Sequence, residues 1–116
     1  MYDYAATVEQ VVDADTLVLE IDLGFHVHLR QHVRLAGLDA PELRAPAGQE
    51  ARDWVQGWLN EFTSFTRAVG VRTELDRTEK FGRVLGVVYL PDQPTATLNQ
   101  ALLDSGRARP YTGGKR

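Results

Sequence analysis

The chain has 116 residues, 43% of them hydrophobic and 25% charged, with a formal net charge of −3 and no cysteine. This composition argues against a disordered chain and against a membrane protein, since no apolar run is long enough to cross a bilayer. It also excludes disulfides and thiolate metal centres, and the acidic balance argues against a protein that coats nucleic acid by charge alone.

A chain of this length forms one domain, residues 1–116, whose core buries roughly two thirds of the unfolded surface. No repeat, low-complexity tract or linker divides it. No stretch near Met1 resembles a signal peptide, so the expected setting is the cytoplasm or, with a leader removed, outside the cell.

Taken in chain order, Ala5 to Val12 is a β-branched-rich strand, and Thr16 to Asp22 alternates with Leu17, Leu19 and Ile21 on one face. A turn at Leu23-Gly24 leads into a long strand from Phe25 to Ala36. Phe25, Val27, Leu29, Val33 and Leu35 share its core parity; His26, His28, Arg30, His32 and Arg34 share the wet one.

A loop with proline and glycine follows Pro41, then a helix from about Gln49 to Phe62. Ala51, Trp54, Val55, Trp58, Leu59 and Phe62 form its buried stripe, so the two tryptophans read as core anchors. Strands near Ala68–Leu75 and Arg83–Leu90 flank the polar turn "DRTEKFG". Thr97 and Gln100 make a capping box for a last helix through Leu98, Ala101 and Leu102, which Gly106 terminates. Three strands, a helix, two strands and a helix describe a mainly β chain with α: a five-stranded OB-fold barrel with one helix between strands 3 and 4 and another at the C-terminal end.

Four stretches concentrate polar chemistry: "VVDADT", "VRLAGLDAPE", "EKFGR" and "ARPY". Each has an ordinary reading by itself. Asp13, Asp15 and Asp39 suit turns, Glu42 is a solvated acid, and Arg83 is a strand end. The histidines at 26, 28 and 32 share a strand face but no further zinc ligand accompanies them. The tail with Arg107, Arg109, Lys115 and Arg116 reads as a solvated end that could touch a phosphate.

Together, D-x-D-T, then R-x-x-x-x-D-x-P-E, then K-[aromatic]-G-R, followed by "LNQALLDSGRA", resemble the staphylococcal nuclease-like (thermonuclease) family from about Ala5 to Ala108. The resemblance implies a calcium-dependent phosphodiesterase that cleaves DNA and/or RNA with little sequence specificity, acting as a monomer. Carried over by position, Asp15, Asp39 and the backbone carbonyl of Ala40 are the implied Ca2+ ligands, supported by Asp13 and Thr16. Arg34 and Arg83 are the implied phosphate clamp and Glu42 the residue acting on the attacking water. Lys80 and Tyr111 are implied substrate contacts.

The residue chemistry agrees with these roles. Aspartate oxygens suit hard cations, and the guanidinium fork matches phosphate. Three acids and two arginines leave the bare site at −1, which one divalent cation turns to +1.

Two departures stand out. Ala40 replaces the threonine of prototype members, which spares a ligand that is a backbone oxygen. Phe81 replaces a common tyrosine, removing one hydrogen bond worth about 1 kcal/mol. The competing expectation is a catalytically inactive OB-fold module that binds nucleic acid or protein; its mark would be lost acids or arginines, and here Asp15, Arg34, Asp39, Glu42 and Arg83 are all present.

Overall fold

Twelve consecutive residues, Tyr2–Asp13, form strand β1, long enough to serve two neighbours at once. Its first half pairs antiparallel with β5 (Ala68–Glu74), and from Ala6 onward it pairs with β2 (Thr16–Asp22). Register shifts after Val8 and Val11 let the strand bend between those partners, as bulges do. The structure is a computed structural model and describes residues 2–74 and 84–111.

β2 pairs antiparallel with β3 (His28–Leu35), and β5 with β6 (Val84–Leu90). The sheet closes where β3 and β6 run parallel, with Val33 opposite Val84 and Leu35 opposite Gly86. A Cβ on Gly86 would lie 2.7 Å from the Val33 side chain, so glycine permits this contact. The result is a closed five-stranded barrel, β1-β2-β3-β6-β5, the expected OB-fold. Three short strands were not anticipated: β4 (Leu38–Asp39), β7 (Gln93–Thr97) paired with β6, and β8 (Arg109–Pro110) paired with β4.

Val8, Val11, Leu17, Leu19, Val33, Leu35, Val71 and Val88 fill the barrel. Helix α1 (Pro46–Phe62) packs against it through Ala51, Val55 and Leu59, all fully buried. It begins three residues before the expected Gln49 because Pro46, with no N–H to satisfy, opens the first turn. Trp54 and Trp58 are partly buried against the core, as anchors should be, but Phe62 at the helix end is 54% exposed and leaves the stripe.

Helix α2 (Leu98–Asp104) begins with Thr97 Oγ1 accepting from the Gln100 N–H at 3.0 Å, and Gly106 at φ 78° ends it. Only half of the expected capping box forms, because the Gln100 side chain turns to Asp104 at 2.8 Å.

The long strand expected from Phe25 is shorter. Phe25 and His26 have φ of 55° and 62°, left-handed values that end the ladder, so β3 starts at His28. Phe25, Val27 and Leu29, expected in the core, are 98%, 52% and 46% exposed. The parity was right, but the hairpin end lies outside the core. Among the described residues no helix is long and apolar enough to cross a membrane. The "DRTEKFG" turn lies outside the described residues.

Candidate active site

The tight turn between β1 and β2 carries Asp15, whose backbone carbonyl accepts the Leu35 N–H at 2.8 Å, tying the turn to the end of β3. Asp15 is only 5% exposed, so its carboxylate requires partners. It has three: Thr16 Oγ1 donates to Oδ1 at 3.2 Å, and the Ala40 N–H and Arg34 Nη2 donate to Oδ2 at 3.2 and 3.1 Å.

Arg34 sits opposite Thr16 across the β2–β3 ladder, on the parity that faces away from the barrel. It was expected to be wet there, yet its side chain is only 11% exposed, because the same Nη2 also donates to Asp39 Oδ1 at 3.1 Å. Two carboxylates thus converge on one guanidinium nitrogen, and their oxygens are at most twice 3.1 Å apart. Arg34 Nε is buried and has no hydrogen-bond partner among the described residues. An unmade buried bond is costly, which sets this N–H apart from the satisfied groups around it.

Asp39 lies in β4, after a turn at Gly37 that takes φ 82°. Asn99, buried at the start of α2, fixes this corner. Its Nδ2 donates to the Ala36 and Gly86 carbonyls at 3.0 and 3.1 Å, and its Oδ1 accepts the Val88 N–H at 3.0 Å. The strand that ends at the site is thereby stapled to β6. Asn99 was not singled out from the sequence, where it is one polar residue in a short helix.

Glu42 stands apart from this group. Its side chain is 73% exposed and pairs with Arg44 Nε at 2.9 Å. Its loop is pressed against α1, since a Cβ on Gly48 would lie 1.8 Å from the Glu42 carbonyl oxygen; only glycine fits. Asp13, half-buried, faces Thr16 where the β1–β2 pairing ends. Lys80, Phe81 and Arg83 lie outside the described residues.

The described part of the tail, up to Tyr111, returns to the barrel, while Lys115 and Arg116 lie outside the described residues. Arg109 and Pro110 pair with Asp39 and Leu38, and the half-buried Tyr111 donates its N–H to the Gly37 carbonyl at 2.9 Å. Arg109 Nη2 comes within 3.5 Å of Asp39 Oδ2. No local signal could have revealed this pairing, which joins residues about seventy positions apart. Between the two segments lies an open depression of about 380 Å³ lined by Asp39, Ala40, Pro41 and Gly106 to Arg109.

The donors fit a hard divalent cation in kind. Asp15 and Asp39 offer carboxylate oxygens that already converge on one positive point, and the peptide of Ala40 is hydrogen-bonded beside them. Among the described residues the histidines do not gather with two further His, Asp or Glu side chains: all three are exposed, and His28 pairs with Glu20 at 3.2 Å.

Comparison with known proteins adds an independent line. The family described as "Staphylococcal nuclease homologue" matches residues 32–116. A "Probable endonuclease LCL3" of Coccidioides posadasii is 40% identical over 65 residues, covering 51% of this chain and 19% of that protein. The lcl3 protein of Emericella nidulans, also called a probable endonuclease, is 38% identical over 65 residues, 51% of this chain and 21% of its own. "Protein ParB" of Escherichia coli is 33% identical over 111 residues, 90% of this chain and 55% of that protein. The chain therefore spans about a fifth of the two fungal proteins and about half of the bacterial one. With a family match running from within β3 to residue 116, on the barrel that the motifs implied, the chain belongs to the staphylococcal nuclease homologue family.

Proposed function

We propose that the protein is a calcium-dependent nuclease that hydrolyses phosphodiester bonds of DNA and/or RNA with little sequence specificity. The observation that carries this reading is Arg34: one nitrogen bridges two buried or half-buried carboxylates while its Nε–H has no partner among the described residues. A guanidinium held in place by two acids through Nη2, with the adjoining Nε–H unmet, is suited to grip a phosphate.

In this reading Asp15, Asp39 and the Ala40 carbonyl would hold Ca2+, which would supply positive charge beside the scissile phosphate. Thr16 and Asp13 support Asp15. Arg34 and Arg83 donate to the non-bridging phosphate oxygens, whose charge is redistributed as the nucleophile adds. Glu42 leaves its exposed pair with Arg44, a weak interaction, and takes a proton from the attacking water; as that oxygen bonds to phosphorus the ester P–O bond breaks, and the leaving oxygen takes a proton from solvent. Lys80 and Tyr111 contact the rest of the substrate.

One observation favours a second reading, an inactive module that binds nucleic acid or protein: Glu42 points to Arg44 rather than to the Asp15–Arg34–Asp39 group. Digestion of single-stranded DNA with Ca2+ and with a chelator, beside Glu42→Gln, separates the two. The nuclease reading expects cleavage that needs Ca2+ and falls at least a hundredfold in the variant. Folded protein that cleaves nothing with ample Ca2+ transfers the case to the binding module.

A further inference from the structure

The depression beside Asp39 shares Asp39 and Ala40 with the roles given above, but its other wall, which includes Arg107 and Arg109, takes no part in them. β8 sets Arg109 directly opposite Asp39. Its side chain is 82% exposed, and its Nη2 lies 3.5 Å from Asp39 Oδ2, a carboxylate whose other oxygen Arg34 already holds. A long, exposed ion pair to a shared acid is weak, so Arg109 can turn to a stronger anion with little loss.

Arg107 is held from the other side. Its guanidinium lies 5.9 Å from the centroid of the Trp54 ring, and its Nη2 is 3.4 Å from Glu50. Its Nε is buried with no hydrogen-bond partner among the described residues. Among the described residues, Arg34 and Arg107 are the two with such an orphaned buried donor. Asp15, Asp39 and Glu50 are the carboxylates paired with this group, against Arg34, Arg107 and Arg109, so the strip is balanced in charge and a divalent cation on Asp15 and Asp39 would make it net positive.

We propose that this depression is a second phosphate subsite, taking the phosphate next to the scissile one in a nucleic acid strand, with Arg109 as its main contact and Arg107 as the second. This rests on the reading in which Arg34 holds the scissile phosphate. One carboxylate separates the Arg34 and Arg109 guanidinium groups, so both can act on one strand. The C-terminal segment that leaves α2 is then part of the substrate-binding surface, and the enzyme prefers oligonucleotides to phosphodiesters that carry no neighbouring phosphate.

The test measures binding of a fluorescent oligothymidylate by anisotropy with Ca2+ over a series of KCl concentrations, in a Glu42→Gln background that stops turnover. Arg109→Ala is expected to weaken binding about tenfold, the scale of one charge-assisted contact. It should also reduce the slope of log K against log salt by about 0.7, the loss of one single-strand phosphate contact, while Arg109→Lys keeps the slope. Unchanged affinity and slope in Arg109→Ala overturn the subsite. An oligonucleotide that fails to bind the parent protein overturns both the subsite and the nucleic-acid reading.

Hydrolysis separates the two ideas. In the Glu42 background-free protein, Arg109→Ala should lower kcat/KM for the oligonucleotide at least fivefold more than for bis(p-nitrophenyl) phosphate, which has no second phosphate. Equal losses on both substrates sink the subsite and leave the nuclease intact. Absence of hydrolysis with the salt slope still lowered sinks the nuclease and keeps the phosphate contact.

Discussion

The two ends of β3 carry one alternation of residue types and meet opposite fates. At its C-terminal end Val33 and Leu35 are fully buried, and Arg34 between them is clamped by Asp15 and Asp39. At the other end Leu29 and, in the adjoining turn, Val27 and Phe25 are exposed, while Arg30 reaches Glu9 through a pair that is largely in solvent. The difference is what stands around each end. Val33 and Arg34 pair with both β2 and β6, Leu35 pairs with β6 and donates its N–H to the Asp15 carbonyl, and all three lie against the corner stapled by Asn99, whereas the first half has β2 alone. Alternation assigns residues to a face; it does not supply anything for that face to bury against.

The comparison can be broken most directly at the two arginines. Arg34→Ala strands the Asp15 carboxylate in a buried position and should cost about 3 kcal/mol in urea unfolding with chelator present. It should also lower nuclease turnover at least a hundredfold, the usual scale for a group that stabilises transition-state charge. Arg30→Ala, on the same parity but exposed, should stay within about 0.5 kcal/mol. Equal unfolding midpoints for the two variants would show that the Asp15–Arg34–Asp39 group is not a buried network.

The apolar parity gives a similar contrast. Leu35→Ala empties a fully buried site and is expected to cost about 3 kcal/mol; Leu29→Ala, at a half-exposed position, should cost less than about 1 kcal/mol. Denaturant titration of both distinguishes a graded strand from a uniform one.

Asn99→Ala tests the staple itself. It leaves the Ala36 and Gly86 carbonyls and the Val88 N–H without that partner, for an expected loss of about 2 kcal/mol. Amide exchange should speed up first at Leu35 and Ala36, the residues nearest the site. Exchange that rises evenly over the molecule would argue against a local role.

The smallest change belongs to the hairpin tip. Phe25→Ser should alter stability by no more than about 0.5 kcal/mol, since the ring is 98% exposed and its backbone is already left-handed. A large loss on thermal unfolding would mean that the tip packs against something after all.

Much of the site was legible because its residues advertise themselves locally. Asp15, Arg34 and Asp39 sit in motifs whose order resembles one family, and the structure brings their side chains together at 3.1 Å. Glu42 was legible as a residue but not as a geometry, since the side chain turns to Arg44 only two positions away. Asn99 was not legible as a site residue, and Arg109 was legible only as part of a solvated end that could touch a phosphate, not as a neighbour of Asp39. Their partners, Asp39 in one case and Ala36, Gly86 and Val88 in the other, lie on other elements, and no periodicity encodes such pairings.

By itself, then, the amino-acid sequence determined the strand parities, the helix limits near Thr97 and Gly106, and the family to which the chain belongs. These depend on neighbours within one turn or one pleat, or on motif order along the chain. Only the tertiary structure decided that Arg34 is covered rather than wet, that Phe25 to Leu29 miss the core, and that the tail returns to Asp39 as β8. Each of those outcomes follows from closing the barrel between β3 and β6, which sets what surrounds a side chain once its face has been chosen.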